Sequence, residues 1–562
     1  MTFPSVNVAS HLARLAVTEP DRPAIHFPAG NATVTFAQLH ADSDAIAHGL
    51  TAATIVRGTR VALMVPPSID FFALTFALFK VAAVPVMIDP GMGVRNLGKC
   101  LAEAEPEAFI GIPKAHLARR ILRWGRKTIR TTVNVGWGRF FCHHSVRTLR
   151  DIGLSLGAYP MPDVAADETA AILFTSGSTG VAKGAVYTHG IFAAQVEMLK
   201  ATYGIEPGEV DLCTFPLFAL FGPALGMTCV IPDMNPSRPA SIDPHKAVEQ
   251  VKRYGVTNLF GSPAVIRRLA ELSDAGLSLP TVRRVISAGA PARAADIERF
   301  TQLLPATTEV FTPYGATEAL PVANIGSREI LTETRHLTDR GKGVCIGRPV
   351  AGMTVHVVRI TDEAIPEWDD SLLVPQGEVG EFVVRGPVVT KQYHNRPEAT
   401  RLAKIRDSRT GETLHRMGDV GYLDDRGRLW FCGRKSHRVV TPWGTLFTDM
   451  VEGQLNRSKH VRCTALVGVI RGGETYPVIC YEVETGGTSR KGLILRPIWR
   501  RQALESLHKR AKMSPLTERI VTFLRYPGSF PVDVRHNSKI FREKLAVWAD
   551  KQLGPKWKGG PR

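Results

Sequence analysis

The sequence predicts an α/β fold with largely parallel sheets, and three observations carry that prediction. Short apolar runs rich in β-branched residues recur as far as residue 315, each separated from the next by a stretch long enough for a helix. Several of the runs end in Gly, Ser or Pro, which places polar clusters at the carboxyl ends of strands, where open α/β sheets bind ligands. From about residue 377 the texture changes to shorter alternating runs broken by Gly and Asp, the pattern of antiparallel hairpins.

Taken in order, the strand candidates are RVALMVP (60–66), AVPVMID (83–89), AFIGIP (108–113), AAILFTS (170–176), TCVIPD (228–233), NLFGSP (258–263), RVISAGA (284–290) and EVFTPYG (309–315). The most apolar stretch, 71–88, is interrupted by Lys80 and Pro85 and reads as a buried helix turning into a strand rather than a membrane span. GEVGEFVVRG and GYLDDRGRLWFCGR predict a small β-rich unit over about 340–433. Beyond Arg434 lies a mixed segment, with strands near 464–469 and 478–484, a basic helix near 498–512 and a Pro/Gly-broken tail. This divides the chain into an N-terminal domain, 1–433, and a C-terminal domain, 434–562, joined at 433–436.

A chain of 562 residues is too long for one ordinary domain, and its 44% hydrophobic and 22% charged content excludes general disorder. The formal charge of +18 raises nucleic acid as a partner. Its dense segments, 116–130 and 496–512, lack the aromatic interleaving of a single-strand binder and any helix-turn-helix or zinc-finger spacing, so no nucleic-acid function is expected. Solvated helix faces, a membrane surface or a partner protein remain for them. Eight scattered cysteines without a CxxC pair argue against a disulfide framework or structural zinc. The N-terminus reads as no secretory signal, and the expected location is cytoplasmic.

The chemistry begins at FTSGSTGVAKG (174–184). It is not a nucleotide P-loop: two residues separate Gly177 from Gly180, and Gly184 follows Lys183 where Ser or Thr should stand. Its physical content is nevertheless a phosphate cradle. Glycines let backbone N–H groups approach an anion, the hydroxyls of Thr175, Ser176, Ser178 and Thr179 add donors, and Lys183 supplies a point charge. A plain Ser/Gly turn between strand and helix is the structural alternative. A second cluster, YGATE (314–318), offers an aromatic face, a hydroxyl and a carboxylate, and HRMGDVGYLDDRGRLWFCGR (415–434) sets Asp419 and Arg434 beside the domain junction.

With these motifs in this order across nearly the whole chain, the sequence resembles the adenylate-forming superfamily of acyl-CoA synthetases, peptide-synthetase adenylation domains and luciferases. The resemblance implies a large N-terminal domain of layered α/β sheets with a β-rich subdomain, and a small mobile α+β C-terminal domain. It implies ATP and Mg²⁺: Thr175, Ser176, Gly177, Ser178, Thr179, Gly180 and Lys183 for the β- and γ-phosphates, and Tyr314 stacked on adenine opposite Gly289, Ala290 and Pro291. Gly315 would belong to the nucleotide-binding site, Thr317 would contact the α-phosphate, Glu318 would bind the metal, and Asp419 would take the ribose hydroxyls with Arg434 assisting. Lys539, in PVDVRHNSKIFREKL, stands where the family keeps the mobile lysine that bridges substrate carboxylate and α-phosphate. A carboxylate attacking the α-phosphorus meets charge repulsion, so such cations and in-line positioning must carry the step.

Departures from the pattern bear on the step after adenylation. In GRKSHRVVTPWG, Ser436 replaces the hinge acid and Trp443 stands where CoA-using members keep a glycine, with Gly444 one place late. An indole there obstructs a pantetheine arm, unless the loop is shifted by one residue. FPLFALFGPALG places Phe218, Ala219, Leu220 and Phe221 at the acyl pocket and lacks the aspartate that holds an amino acid's amine, which favours an apolar acyl chain; ordinary core is the alternative for these residues.

Together these segments are most similar to the branch known as olefin β-lactone synthetases. That resemblance implies adenylation of a long-chain 2-alkyl-3-hydroxyalkanoic acid and capture of the activated carbonyl by its own β-hydroxyl, without CoA. It also implies two partners, a β-lactone decarboxylase and a nicotinamide-dependent reductase. A long-chain fatty acyl-CoA synthetase is the alternative; a non-catalytic nucleotide-binding or membrane-docking protein is disfavoured because Lys183, Glu318, Asp419 and Lys539 are all present. His189 is a candidate base on paper and, equally, a packing histidine. Chain length, stereochemistry and oligomeric state are not legible.

Overall fold

A computed structural model describes residues 6–175, 182–215, 221–484, 490–532 and 540–560. All eight expected strands form, within two seven-stranded sheets. In the first the order across the sheet is His144–Ser145, Thr131–Asn134, Ala108–Gly111, Arg60–Met64, Val84–Ile88, Thr169–Thr175, Lys183–Thr188. Every pair is parallel except the last. Parallel neighbours require crossovers, and the helices Ile69–Lys80, Val94–Ala104 and Pro113–Ile121 supply them.

The apolar stretch at 71–88 is the helix and strand expected of it. Ser68 caps the helix by accepting from the Phe71 N–H at 3.2 Å. Lys80, fully buried, is neutralised by Asp44 at 2.6 Å. The second sheet runs Glu309–Phe311, Arg284–Ser287, Asn258–Gly261, Val210–Cys213, Thr228–Val230, Pro23–Phe27, Ala32–Thr35, parallel but for its last pair. One apolar core joins the two sheets through helices that include Phe36, Phe72, Phe76, Ile191 and Val196.

The run at 309–315 is not one strand. Pro313 has no N–H to donate, so the parallel strand stops at Phe311, and Tyr314–Ala316 opens a different, antiparallel sheet. That sheet adds Ala319–Asn324, Val344–Pro349, Leu429–Arg434, Thr413–Leu423, Gly380–Arg385 and Thr354–Val358, with Lys404–Arg406 beside Thr413–Leu423. Its central hairpin turns where Asp424 Oδ1 accepts from the N–H groups of Arg426 (2.9 Å) and Arg428 (2.8 Å), with Gly427 at φ +71°.

After Arg434, Val461–Arg471 and Glu474–Val483 form a hairpin about Gly472 and Gly473, both at positive φ, and Thr522–Arg525 joins it in parallel after helix Arg490–Ala511. The tail at the C-terminus contains a helix, Arg542–Leu553, that the reading by composition missed. Leu545, Ala549 and Leu553 recur every four residues and are its buried face. Helix Thr448–Leu455 packs on the strand Leu429–Arg434 so closely that a Cβ on Gly433 would lie 2.3 Å from Thr448 Oγ1. Gln454 Nε2 also donates to the Arg340 carbonyl at 2.7 Å. Among the described residues no two cysteines form a disulfide, and no helix is long and apolar enough to cross a membrane.

Candidate active site

The Ser/Gly loop lies between two strands rather than between strand and helix. Thr169–Thr175 and Lys183–Thr188 pair antiparallel with Thr175 opposite Lys183, at the sheet's edge. Ser176, Gly177, Ser178, Thr179 and Gly180 lie outside the described residues, as does the side chain of Thr175. Lys183 is half-buried at the base of the loop. Against it docks the connection between strand Gly380–Arg385 and helix Pro397–Ala403: the Val186 N–H donates to the Gln392 carbonyl (3.2 Å) and the His394 N–H to that of Gly184 (2.8 Å). This seats the Tyr393 ring 5.1 Å from Lys183 Nζ.

Tyr393 connects the first motif to the second. Its hydroxyl donates to Glu318 Oε1 at 2.7 Å, and burial beside that carboxylate pushes the phenol far above its ordinary range. The backbone of Glu318 is held as well, its carbonyl accepting from Thr390 N–H (2.9 Å) and Oγ1 (3.2 Å). Lys404 Nζ donates to the Thr390 carbonyl and, at 3.0 Å, to its Oγ1, and lies 5.8 Å from the Tyr393 ring. Full burial lowers this ammonium to about 7, with Glu318 opposing the shift. One residue earlier, the Thr317 carbonyl accepts from the buried Tyr187 hydroxyl at 2.5 Å. Gly315 is required by closeness: a Cβ there would meet Leu320 Cδ1 at 2.6 Å and the Ala319 carbonyl at 2.8 Å.

The third motif meets the second directly. Asp419 and Arg434 face each other across the strands Thr413–Leu423 and Leu429–Arg434 and pair at 2.7 Å, while the Tyr314 hydroxyl donates to the other Asp419 oxygen at 2.6 Å. Each carboxylate oxygen has lone pairs for more than one donor, so these bonds leave acceptor capacity for further hydroxyls. Gly289, with φ +97°, Ala290 and Pro291 follow the strand Arg284–Ser287, which runs parallel to Glu309–Phe311. The turn at 289–291 and Tyr314 therefore leave the same end of one sheet.

The remaining expected residues divide. Phe221 opens helix Phe221–Leu225 with its ring 5.9 Å from Phe192, which in turn lies 5.0 Å from Tyr187. Phe218, Ala219 and Leu220 lie outside the described residues, and so does Lys539. Among the described residues flanking it, Val532 bridges Ile540 and the Phe541 N–H donates to the Pro531 carbonyl at 2.8 Å. Ser436 is exposed in the turn Lys435–His437, between neighbours anchored on the loop after strand Thr354–Val358: Lys435 to the Thr361 carbonyl (2.9 Å), Arg438 to Asp362 (2.5 Å).

His189 is not at this site. It is buried beside Phe79, with its pKa lowered to about 4 by burial, and lies at the far end of the strand Lys183–Thr188, about 20 Å along it from Lys183. Thr441 and Gly444 are opposed in a hairpin, so Pro442 and Trp443 form its two-residue tip, with Gly444 at φ +135° and the indole 37% exposed. The motif search missed Tyr187, Thr390, Tyr393 and Lys404. None sits in a phosphate-binding pattern, and the only local signal was the turn-forming composition around 394–397.

Comparison with known proteins agrees with this geometry. The family model described as AMP-binding enzyme matches residues 12–394. The chain is 50% identical to the olefin beta-lactone synthetase of Xanthomonas campestris pv. campestris, over 97% of this chain and 98% of that protein. It is 47% identical to the olefin beta-lactone synthetase of Stenotrophomonas maltophilia, with the same coverage. Among solved structures, ATP-bound MatB from Rhodopseudomonas palustris superposes with a TM-score of 0.76 at 20% identity, over 98% of this chain and all of that one, a likeness of fold.

Proposed function

Since the chain belongs to the AMP-binding enzyme family and shares half its residues, end to end, with olefin beta-lactone synthetases, we propose that it adenylates a long-chain 2-alkyl-3-hydroxyalkanoic acid and closes it to a β-lactone. One observation carries the reading beyond the likeness: three motifs from separate parts of the chain meet through Lys183, Tyr393 and Glu318 on one side and through Tyr314, Asp419 and Arg434 on the other. A nucleoside triphosphate has the same two ends.

In the first half-reaction a substrate carboxylate oxygen attacks the α-phosphorus of ATP, the bond to the bridging oxygen breaks, and pyrophosphate leaves. Lys183 and the loop at 175–180 would neutralise the departing phosphates, and Lys539 would offset repulsion between carboxylate and α-phosphate. Asp419 would accept from the ribose hydroxyls, held in place by Arg434 and by Tyr314, whose ring would lie along the adenine. The residues fit a magnesium ion. Glu318 has one carboxylate oxygen with no partner among the described residues, and magnesium is ordinarily held by one or two carboxylates plus substrate phosphates. Bound there, it would neutralise phosphate charge; Tyr393 and Thr390 orient Glu318 toward that task.

In the second half-reaction the β-hydroxyl oxygen attacks the acyl carbonyl, its proton leaves, and the bond to AMP breaks. Tethering the hydroxyl supplies the proximity that an external acceptor would lack, an effect worth roughly 7–11 kcal/mol for well-oriented groups. Phe221 lies on the aromatic chain leading to the Thr317 backbone and would face the acyl group. Trp443, at the tip of its hairpin where a narrow arm would need room, supports closure without CoA. The test is incubation with ATP, Mg²⁺ and a long-chain 2-alkyl-3-hydroxy acid, with NMR of the organic extract. A β-lactone with matching AMP and no CoA supports the proposal; turnover only with CoA, giving a thioester, refutes it.

A further inference from the structure

From Ala108 to Arg150 the chain carries ten Lys and Arg and not one Asp or Glu. The structure puts much of this charge on a face that is also apolar. Helix Pro113–Ile121 and the turn after it expose Leu117, Ile121 and Leu122, and the loop at 135–143 exposes Trp137 (99%) and Phe141 (81%). The two pieces are one surface: the Arg120 guanidinium lies 5.3 Å from the Phe141 ring. Phe140 and Phe141 both hold positive φ (43° and 57°), a left-handed conformation rare for aromatic residues, and it turns their rings outward.

Beside them an open groove of about 390 Å³, lined by Val94, Arg95, Lys99, Leu122, Arg123 and Trp124, extends the face onto helix Val94–Ala104. Among the described residues none of Lys114, Arg120, Arg123, Arg126, Lys127 and Arg139 forms an ion pair.

We propose that this face docks the enzyme on the surface of an anionic lipid bilayer. Unpaired cations around exposed aromatic and aliphatic side chains complement a negatively charged interface in both respects: the cations meet headgroups and the rings enter the boundary layer. A solvated basic helix would need no tryptophan held fully in water, and exposed apolar patches of this kind mark contact surfaces. The aromatic loop at 135–143 leads into the His144–Ser145 edge of its sheet, six strand spacings, about 29 Å, from the edge that carries Lys183. Of the face, it is helix Val94–Ala104 that reaches back toward the strand Lys183–Thr188, and the variants below leave that helix untouched. Docking and catalysis are thus separable, and the inference stands apart from the proposed reaction.

The test is co-sedimentation of the full chain with phosphatidylcholine vesicles with and without 30% phosphatidylserine. Two variants accompany it: Arg120→Glu/Arg123→Glu/Lys127→Glu, and Trp137→Ser/Phe141→Ser. Wild type should bind only the anionic vesicles and come off at high salt. Reversal of three charges should weaken binding by a hundredfold or more, on the order of a fivefold loss for each Lys or Arg removed. The aromatic variant should also bind more weakly, with ATP-dependent AMP release on a water-soluble 3-hydroxy acid unchanged in both. Failure of wild type to bind, equal binding to neutral vesicles, or binding indifferent to both variants overturns the proposal. So does absent vesicle binding combined with variant-sensitive association with a purified β-lactone decarboxylase, which would assign the face to a protein partner.

Discussion

Replacing Tyr393 by Phe tests whether Glu318 must be held to work. The substitution deletes one atom, the oxygen that donates to Glu318 Oε1 at 2.7 Å, and keeps the ring that lies 5.1 Å from Lys183 and 5.8 Å from Lys404. A hydrogen bond to a charged acceptor contributes about 1.5–3 kcal/mol. Glu318 retains its backbone anchors to Thr390, so the loss falls on carboxylate orientation rather than on the strand. At 1.4 kcal/mol per factor of ten, kcat/KM for ATP should fall about 10- to 150-fold. The assay is pyrophosphate release over a Mg²⁺ titration. The concentration of Mg²⁺ for half-maximal rate should rise with the loss, while the melting temperature moves little. Unchanged kcat/KM and unchanged Mg²⁺ dependence would mean that Glu318 needs no such anchor. A large fall in melting temperature with normal Mg²⁺ dependence would reduce Tyr393 to a packing residue.

Asp419→Asn keeps the shape but removes the charge that Arg434 and the Tyr314 hydroxyl meet, and ATP binding by calorimetry should weaken at least tenfold, from about 1.5–3 kcal/mol for a charge-assisted bond; equal affinity would remove Asp419 from the nucleotide site. Lys539→Ala should cut acyl-adenylate formation by about 10²–10³ with ATP binding intact, as loss of a charge aimed at the transition state does; near-normal adenylation would assign the step to another cation. Lys404 sets a pH dependence: the folded chain releases its proton at about 7 while an unfolded lysine holds it to about 10.4. Between those values the unfolded state binds more protons, so stability from this group rises with pH, and below pH 7 the full cost of burying the charge is present. Lys404→Met should therefore flatten the rise in unfolding free energy between pH 7 and 9, read from denaturant melts, by about 2–3 kcal/mol; the same slope in both proteins would count against a charge-bearing Lys404.

The linear chain was enough for eight strands of the two seven-stranded sheets, since β-branched runs closed by Gly or Pro need only local chemistry; the other six, Pro23–Phe27, Ala32–Thr35, Thr131–Asn134, His144–Ser145, Lys183–Thr188 and Val210–Cys213, were not read. It was enough, too, to nominate the residues proposed to meet a nucleotide, because glycines, hydroxyls, a lysine and a carboxylate at short spacing are legible without a fold. Its misjudgements were local as well. The run at 309–315 reads as one strand until Pro313 is taken as the break between two sheets, and helix Arg542–Leu553 shows its four-residue spacing only once that spacing is sought. Which groups hold the site together emerges in three dimensions alone. Tyr393 and Lys404 stand 75 and more residues from Glu318; Tyr393 reaches it because the connection after strand Gly380–Arg385 pairs with the edge strand Lys183–Thr188, and Lys404 because its strand lies beside Thr413–Leu423. The extended strand Lys183–Thr188 carries His189 about 20 Å from Lys183, although only five residues separate them in sequence. Pairing across a sheet edge is a backbone interaction open to many sequences, so no side-chain motif announces it, and the residues it brings to the carboxylate carry no pattern of their own.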